Sequence, residues 1–503
     1  MKTPENQNNF DNLEPKFDES IFTHQPVPLN MENISEHINS LTNESFALPH
    51  KEILARLIEK IELVDFQKLS GMDDYKKIKN DHYQIIVIEQ ILFLAATNNW
   101  GICKNNCFVY LFNGAYWSLL GAEELKAFLG EAAEQMGLNQ FKARYFSFRD
   151  NLYKQFMATA YLQKQELPVG KVIINLKNGT FEITPQGNIL REFRRKDFLT
   201  YQLPFEYDVS AKAPRFQRFL DVVLPDKSLQ LVLAEYLGYV FIHPRILNLE
   251  KALLLFGDGA NGKSVIFDIV IALFGSENIS NFSLQSLTDS SGYYRAMLAN
   301  KLANYGSEIN GNLDASIFKQ ITSGEPLGVR LPFMNPFILE NYAKLIFNCN
   351  NLPRDVEHTN AYFRRFLIIP FKVTIPEDKQ DKELAKKIIK TELSGIFNWV
   401  LDGLNRLLEQ KKFSESKAIK EQVEEYKKQT DSVKMFLDEN DYVSDASDYK
   451  LIKDLYIDYR LFCTADGFKP VNKINFKKRL INFGIIAEKR NVGFVAFLSN
   501  EKI

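Results

Sequence analysis

Cysteine is scarce here, with four residues in 503. That is too few to staple a chain of this length, and free thiols at this density point to a reducing compartment, so a cytoplasmic protein is expected. Cys103 and Cys107 lie close together, but no second pair or nearby histidine completes a four-ligand zinc site. Long apolar runs are also missing. A membrane span needs roughly 18 such residues, and the stretch from Leu231 to Ile242 is broken by Glu235. The opening MKTPENQNNFDN has no apolar segment of the kind a secretory signal carries, so no membrane association is expected. Excess charge of one sign is absent too. With 62 Lys+Arg against 63 Asp+Glu, any nucleic-acid surface has to be local rather than global.

What is present is an ordinary globular composition, 45% hydrophobic and 25% charged, at a length that exceeds one growing core. Residues 1–48 are rich in Asn, Glu and Pro and have no sustained period. They read as a flexible tail or as a short partner-docking peptide around Phe17, Ile21 and Phe22. From Lys51 apolar residues recur at helical spacing past Tyr83. Two hairpins are expected, one turning on Asn113-Gly114 and one on Asn178-Gly179. Residues 49–230 are therefore expected to form an α+β domain, and residues 231–425 an α/β domain with crossover helices. Residues 426–503 read as helix, helix, hairpin, with Lys489 and Arg490 near the hairpin tip, which is the order of a winged helix.

One motif is specific. Gly257-Asp258-Gly259-Ala260-Asn261-Gly262-Lys263-Ser264 fits G-x-x-x-x-G-K-[ST], with an apolar strand before it and an amphipathic run after. Glycines let backbone N–H groups converge on the phosphates of a nucleotide, where side chains would block them. Lys263 would supply a point charge to those phosphates, and the Ser264 hydroxyl would ligate Mg²⁺. Hydrolysis needs more: a carboxylate for water, a polar sensor and positive charge for the transition state. Three later strand ends carry those groups in order: Ser307-Glu308, then Asn350 after Ile346-Phe-Asn-Cys, then Arg364-Arg365 before Phe366-Leu-Ile-Ile-Pro.

This series, together with Phe318-Lys319-Gln-Ile-Thr-Ser-Gly324-Glu325, resembles the superfamily 3 DNA helicases, and more narrowly the phage, plasmid and poxvirus primase–helicase group. Upstream, Ile174-Asn-Leu-Lys-Asn178-Gly179, Tyr201-Gln-Leu-Pro and Pro214-Arg-Phe-Gln-Arg-Phe-Leu are similar to the domain preceding that group's motor. The resemblance spans about residues 90–503 and implies an AAA+-like P-loop motor that uses ATP and Mg²⁺ as a homo-hexameric ring on DNA. By that likeness Glu308 is the water-activating carboxylate and shares Mg²⁺ with Ser264, Asn350 senses the γ-phosphate, and Arg365 is the finger reaching into the next subunit. Arg364 is the alternative finger. The position before Glu308 departs from the pattern, being Ser307 where a second acid is common.

The resemblance also implies a DNA-contacting hairpin between carboxylate and sensor, here Val329–Phe337, with a single strand passing through the ring channel. Lys319, Arg330, Phe333 and Asn335 are its candidate contacts, while packing of Phe333 and Met334 in a core stands as the other reading. Lys477, Lys478, Arg479, Lys489 and Arg490 are the basic candidates of the carboxy-terminal module, for DNA or for a partner. Primer synthesis is not expected. The carboxylate pair Glu206-x-Asp208 has no histidine following closely, so any primase would be a separate chain. An ATP-switched initiator or loader without unwinding is the alternative function. A small-molecule P-loop kinase explains neither the carboxy-terminal module nor an arginine supplied in trans.

Overall fold

Both Asn-Gly turns close β-meanders, each one strand longer than the expected hairpin. The computed structural model describes residues 48–73, 76–161, 170–307, 309, 313–332, 334–353 and 356–500. The tail with Phe17, Ile21 and Phe22, together with Glu308 and Phe333, lies outside the described residues. The first meander is β1 (Gly101–Asn105), β2 (Phe108–Phe112) and β3 (Trp117–Leu120). The Asn113 side chain accepts from the Ala115 and Tyr116 N–H groups, an Asx turn that closes the β2–β3 link. Helices His50–Glu59, Asn80–Thr97, Ala122–Gln135 and Phe146–Thr159 pack around it over a core of Ile53, Leu57, Val87, Leu125, Leu129 and Phe156.

The second meander, β4 (Val172–Leu176), β5 (Gly179–Thr184) and β6 (Gly187–Arg191), belongs to a different core. Val172, Ile174, Phe181 and Ile183 are buried in one cluster with Leu253, Ile266, Val400 and Leu404. The domain boundary expected near residue 230 therefore falls inside a continuous core. The reason is helix Lys227–Tyr239, whose residues from Leu229 onward are almost all buried. An apolar helix of this kind binds the segments on either side of it into one core, and periodicity does not say which neighbours bury it.

The central sheet contains β7 (Ala252–Phe256), β8 (Ile279–Ser280), β9 (Ala303–Gly306), β12 (Lys344–Cys349) and β13 (Phe366–Pro370), in the spatial order β13-β7-β12-β9-β8 with every pairing parallel. A parallel sheet needs both faces covered, which is why β7 and β13 read as unbroken apolar runs. One face carries helices Lys227–Tyr239, Lys263–Phe274 and Leu384–Gln410. The other is closed by Phe318, Tyr362, Phe363 and Tyr426. Between β9 and β12 a small antiparallel pair, β10 (Leu327–Val329) and β11 (Phe337–Leu339), stands apart from the sheet.

The carboxy-terminal residues have their own core, built from Val433, Phe436, Leu455, Tyr459, Phe476, Leu480 and Leu498. Helices Ile452–Ala465 and Lys473–Asn482 are followed by the hairpin β16 (Ile486–Arg490) and β17 (Gly493–Asn500), the helix, helix, hairpin order read from the sequence. Two short strands that periodicity did not reveal, β14 (Tyr442–Ser444) and β15 (Lys450–Leu451), also pair with β17. No helix among the described residues is long and apolar enough to cross a membrane.

Two helices of the central core touch backbone to backbone. A Cβ on Gly403 would stand 2.5 Å from the Ala234 carbonyl carbon. Gly403→Ala gains helix propensity of up to ~1 kcal/mol, but the overlap with rigid backbone costs roughly 1–3 kcal/mol. We expect a lower urea midpoint, and an unchanged one would refute the close packing. Lys344 gives a pH-dependent test. Its ammonium sits over the Tyr239 ring at 4.3 Å, and burial pushes its pKa from 10.5 to about 8. Between those values the unfolded chain binds more protons, so this group makes stability rise with pH in that window. Lys344→Met should flatten that rise relative to the native chain; identical pH profiles would contradict it.

Candidate functional site

The loop joining β7 to helix Lys263–Phe274 is held in shape from below. Gly257 has φ +154°, and a Cβ there would lie 2.4 Å from the Phe371 carbonyl oxygen. The Asn261 amide donates to that same oxygen at 3.3 Å, and the Ala260 carbonyl accepts from Ile375 N–H at 2.7 Å. The segment after β13 thus clamps the loop, and Ala260 itself adopts φ +56°. Among the described residues the N–H groups of Gly259, Ala260 and Gly262 have no protein acceptor. They stand at the amino end of a helix, where free donors and the dipole favour an anion.

Lys263 completes the pattern. Its ammonium donates to the Gly257 carbonyl, to the Asp258 carbonyl at 2.8 Å and to Asn261 Oδ1 at 3.1 Å. Burial lowers its pKa, partly offset by Cys349 and Asp258. A buried cation whose partners are loop oxygens can exchange them for the oxygens of a bound anion. Ser264 is exposed on the next helical position.

Asn350 arrives beside this loop through strand register. Cys349 pairs with Phe256 across β12 and β7, and Gly257 N–H donates to the Cys349 carbonyl at 3.2 Å. Asn350 is exposed just beyond, at the same end of the sheet. Ser307 comes directly after β9, on the far side of β12, and is exposed. The intervening strand ends are locked by Tyr305 Oη donating to Asn348 Oδ1 at 3.0 Å.

The arginine pair is at the other end. Arg365 gives its carbonyl to Ala252 N–H at 2.8 Å, at the start of β7, whereas the loop begins after Phe256. Five strand residues at about 3.3 Å each put roughly 17 Å between them. The two arginines also differ. The Arg365 side chain is only 9% exposed, bonds the Ala361 carbonyl and meets Glu250 at 3.2 Å. Arg364 is 59% exposed and meets the same Glu250 at 2.9 Å. For reaching another molecule, this exposure ranks Arg364 ahead of Arg365, the reverse of the sequence expectation.

Glu250 and Lys251 were missed by sequence reasoning. Glu250 takes φ +53° two residues before β7 and anchors both arginines. The Lys251 ammonium donates to the Arg364 carbonyl, and its pKa is lowered by burial first and then by Arg364 and Arg365. The only signal was a charged pair opening an apolar strand, which solvated strand ends share.

The β10–β11 pair places Arg330 and Asn335 on its exposed connecting segment, with Arg330 over the Tyr293 ring at 5.0 Å. Met334 is exposed, so the core-packing reading does not hold for it. Lys319 is instead bound to Glu357 at 2.8 Å, an ion pair that holds helix Ala315–Thr322 against the segment before the arginines. In the carboxy-terminal module Lys478 and Lys489 are exposed, and Lys477 lies over Phe494 at 3.4 Å. Arg490 pairs with Glu488 at 2.8 Å, and Arg479 is turned inward onto Asp431 at 3.1 Å. Arg479 is therefore a structural residue, because the buried Asp431 needs a cation.

Removing the Glu250 carboxylate leaves Lys251, Arg364 and Arg365 crowded together. Glu250→Ala should destabilise the chain by roughly 1–3 kcal/mol at low salt, and the loss should shrink in ~1 M salt as repulsion is screened. Thermal melts at both salt concentrations check this; a loss independent of salt would mean the carboxylate does not act through charge.

Residues 90–225 match a family model described as D5 N terminal like. Residues 255–365, which contain the loop, Asn350 and the arginine pair, match a model described as a family of unknown function, DUF5906. A curated relative from Invertebrate iridescent virus 6, named "Putative helicase 184R", is 24% identical over 277 residues, 46% of this chain and 27% of its own length. The chain therefore spans about a quarter of that relative. Among solved structures, the apo NrS-1 C terminal region is similar at 15% identity and TM-score 0.48, over 84% of this chain and 99% of that one. An A-form apo structure of the same region gives 14% identity and TM-score 0.46, over 81% and 98%. By sequence the chain is thus similar to a viral protein named as a helicase and to the D5 N terminal-like group.

Proposed function

We propose that this chain is an ATP-driven DNA helicase of a phage-, plasmid- or virus-type replication system, of superfamily 3 type, acting as a hexameric ring. In that assembly each active site is shared by two subunits. The observation that carries the proposal is the separation along β7. The clamped loop with free N–H donors and Lys263 stands at one end of the strand, and the arginine pair at the other, roughly 17 Å away. An arginine so placed cannot serve its own loop, yet it opens onto whatever packs against that end of the sheet. A second copy completes the site.

The loop fits a nucleoside triphosphate. A Cβ at Gly257 would overlap the Phe371 carbonyl, so the concave backbone is kept, and Lys263 offers a cation already surrounded by oxygens. ATP bound with Mg²⁺ supplies the phosphoanhydride whose cleavage drives movement. Lys263 would hold the phosphates, Ser264 and Glu308 would hold Mg²⁺, Glu308 would orient water, and Asn350 would contact the γ-phosphate. Arg364 is the better-placed finger, with Arg365 securing the turn that presents it. Arg330 and Asn335 on the β10–β11 segment, with Phe333, contact the single strand, and the carboxy-terminal winged-helix-like module binds DNA or a partner. Any primase is a separate chain.

Lys263→Ala should abolish nucleotide binding, read with a fluorescent ATP analogue. Arg364→Ala should bind the analogue yet lose about 10³–10⁵ in DNA-stimulated turnover, and mixing the two variants should restore part of it. Full turnover by Arg364→Ala would remove it from the site. ATPase activity without displacement of a labelled strand would replace the helicase with an ATP-switched initiator or loader.

A further inference from the structure

Three aromatic side chains stand in solvent at one corner of the amino-terminal α/β region, far in sequence from the motor. Phe141 is 79% exposed, Tyr145 58% and Phe146 68%. One exposed aromatic needs no explanation, but three within six residues make a contiguous apolar patch. The fold does not require them there. In helix Phe146–Thr159 the buried positions are Phe148, Leu152 and Phe156, and in helix Gln140–Arg144 the buried residue is Ala143. Phe141 stands in that short helix and Tyr145 is the extended residue that ends it, and the Tyr145 and Phe146 rings lie 4.9 Å apart.

Among the described residues, the charges beside this patch that lack a partner of opposite sign are cationic. Lys142 lies over the Tyr83 ring at 3.7 Å, and no carboxylate pairs with it among the described residues. Its pKa is lowered by burial and then by Lys77, an exposed neighbour that is itself without a carboxylate partner among the described residues. An ammonium group with no carboxylate partner among the described residues gains when an anion binds beside it. Among the described acids of these segments, Glu134 is occupied by Arg144 at 2.8 Å and Asp73 meets Lys76 at 2.8 Å.

We propose that Phe141, Tyr145 and Phe146, flanked by Lys142 and Lys77, form a stacking platform for single-stranded DNA outside the motor. Every base offers a π-face, so aromatics bind a strand without reading its sequence, and cations beside them track the phosphates. A duplex hides those faces inside its own stack, so the strand has to be single. The choice of DNA rests on the helicase reading, but the platform needs neither ATP nor a ring. It would hold a strand before or after the motor has moved along it.

The test uses the full chain without nucleotide. Binding of fluorescein-labelled oligothymidylate is followed by anisotropy, and an iodo-deoxyuridine strand is photo-crosslinked to map the contact. Phe141→Ala and the pair Tyr145→Ala/Phe146→Ala should each weaken binding roughly 5- to 150-fold, with unchanged thermal melts. Phe141→Trp should restore it. Lys142→Gln should lower the slope of log affinity against log salt by about 0.7. A crosslink confined to residues 139–149, away from the β10–β11 segment, separates this site from the motor. Unchanged affinity in the aromatic variants, with no crosslink between residues 139 and 149, would overturn the proposal and make the patch a protein-docking surface. Duplex bound as tightly as single strand would overturn it equally.

Discussion

Strand β7 is the constraint on which the rest of this structure depends. Its apolar residues are bonded on one side to β13 and on the other to β12, in a parallel register that sets Leu253 beside both Leu367 and Ile346. Each ladder fixes where the neighbouring strand must stop. The β12 ladder sets Asn350 beside the loop, and the β13 ladder sets the arginine pair beside Glu250 and Lys251. Shifting either ladder by one residue would turn an apolar side chain out of a two-sided core. Chemistry at the sheet ends is thus positioned by hydrophobic burial in its middle.

The same strand separates two charged groups of opposite design. At its carboxy end the charges are arranged for exchange: Lys263 is held by carbonyls and one amide oxygen, partners that lose little when an anion takes their place. At its amino end they are arranged for retention, with one carboxylate, Glu250, shared by two guanidinium groups. Ligands of open parallel sheets lie outside the carboxy ends of the strands, which agrees with the first arrangement. The second lies where no ligand of the same chain would be expected, and it is the reason the proposed site needs another copy.

Outward from the sheet, the layers grow less dependent on it. The second meander and helix Lys227–Tyr239 share the central core, whereas the first meander and the carboxy-terminal module each close a core of their own. The Phe108 ring meets Phe337 of β11 at 5.6 Å, so the first meander still touches the base of the β10–β11 pair. Through that contact the amino-terminal region and the proposed DNA-contacting segment are neighbours.

Much of this was legible in the residues. The strand–loop–helix around Lys263, the Asn-Gly turns and the helix–helix–hairpin order of the last residues all come from local pattern, because turn chemistry and periodicity act over a few residues. Other features were not. The join between residues 172–223 and the central sheet depends on which partner buries an apolar helix, and hydrophobicity has no address. The ranking of Arg364 over Arg365 depends on how tertiary packing buries one and not the other, and the pairing of Arg479 and Lys319 with acids depends on carboxylates distant in sequence. Sequence by itself determined which groups are present and the order in which they occur along the strands. Only the tertiary structure decided which cations are already satisfied and which remain free to meet another molecule, since a charge is neutralised by what lies near it in space.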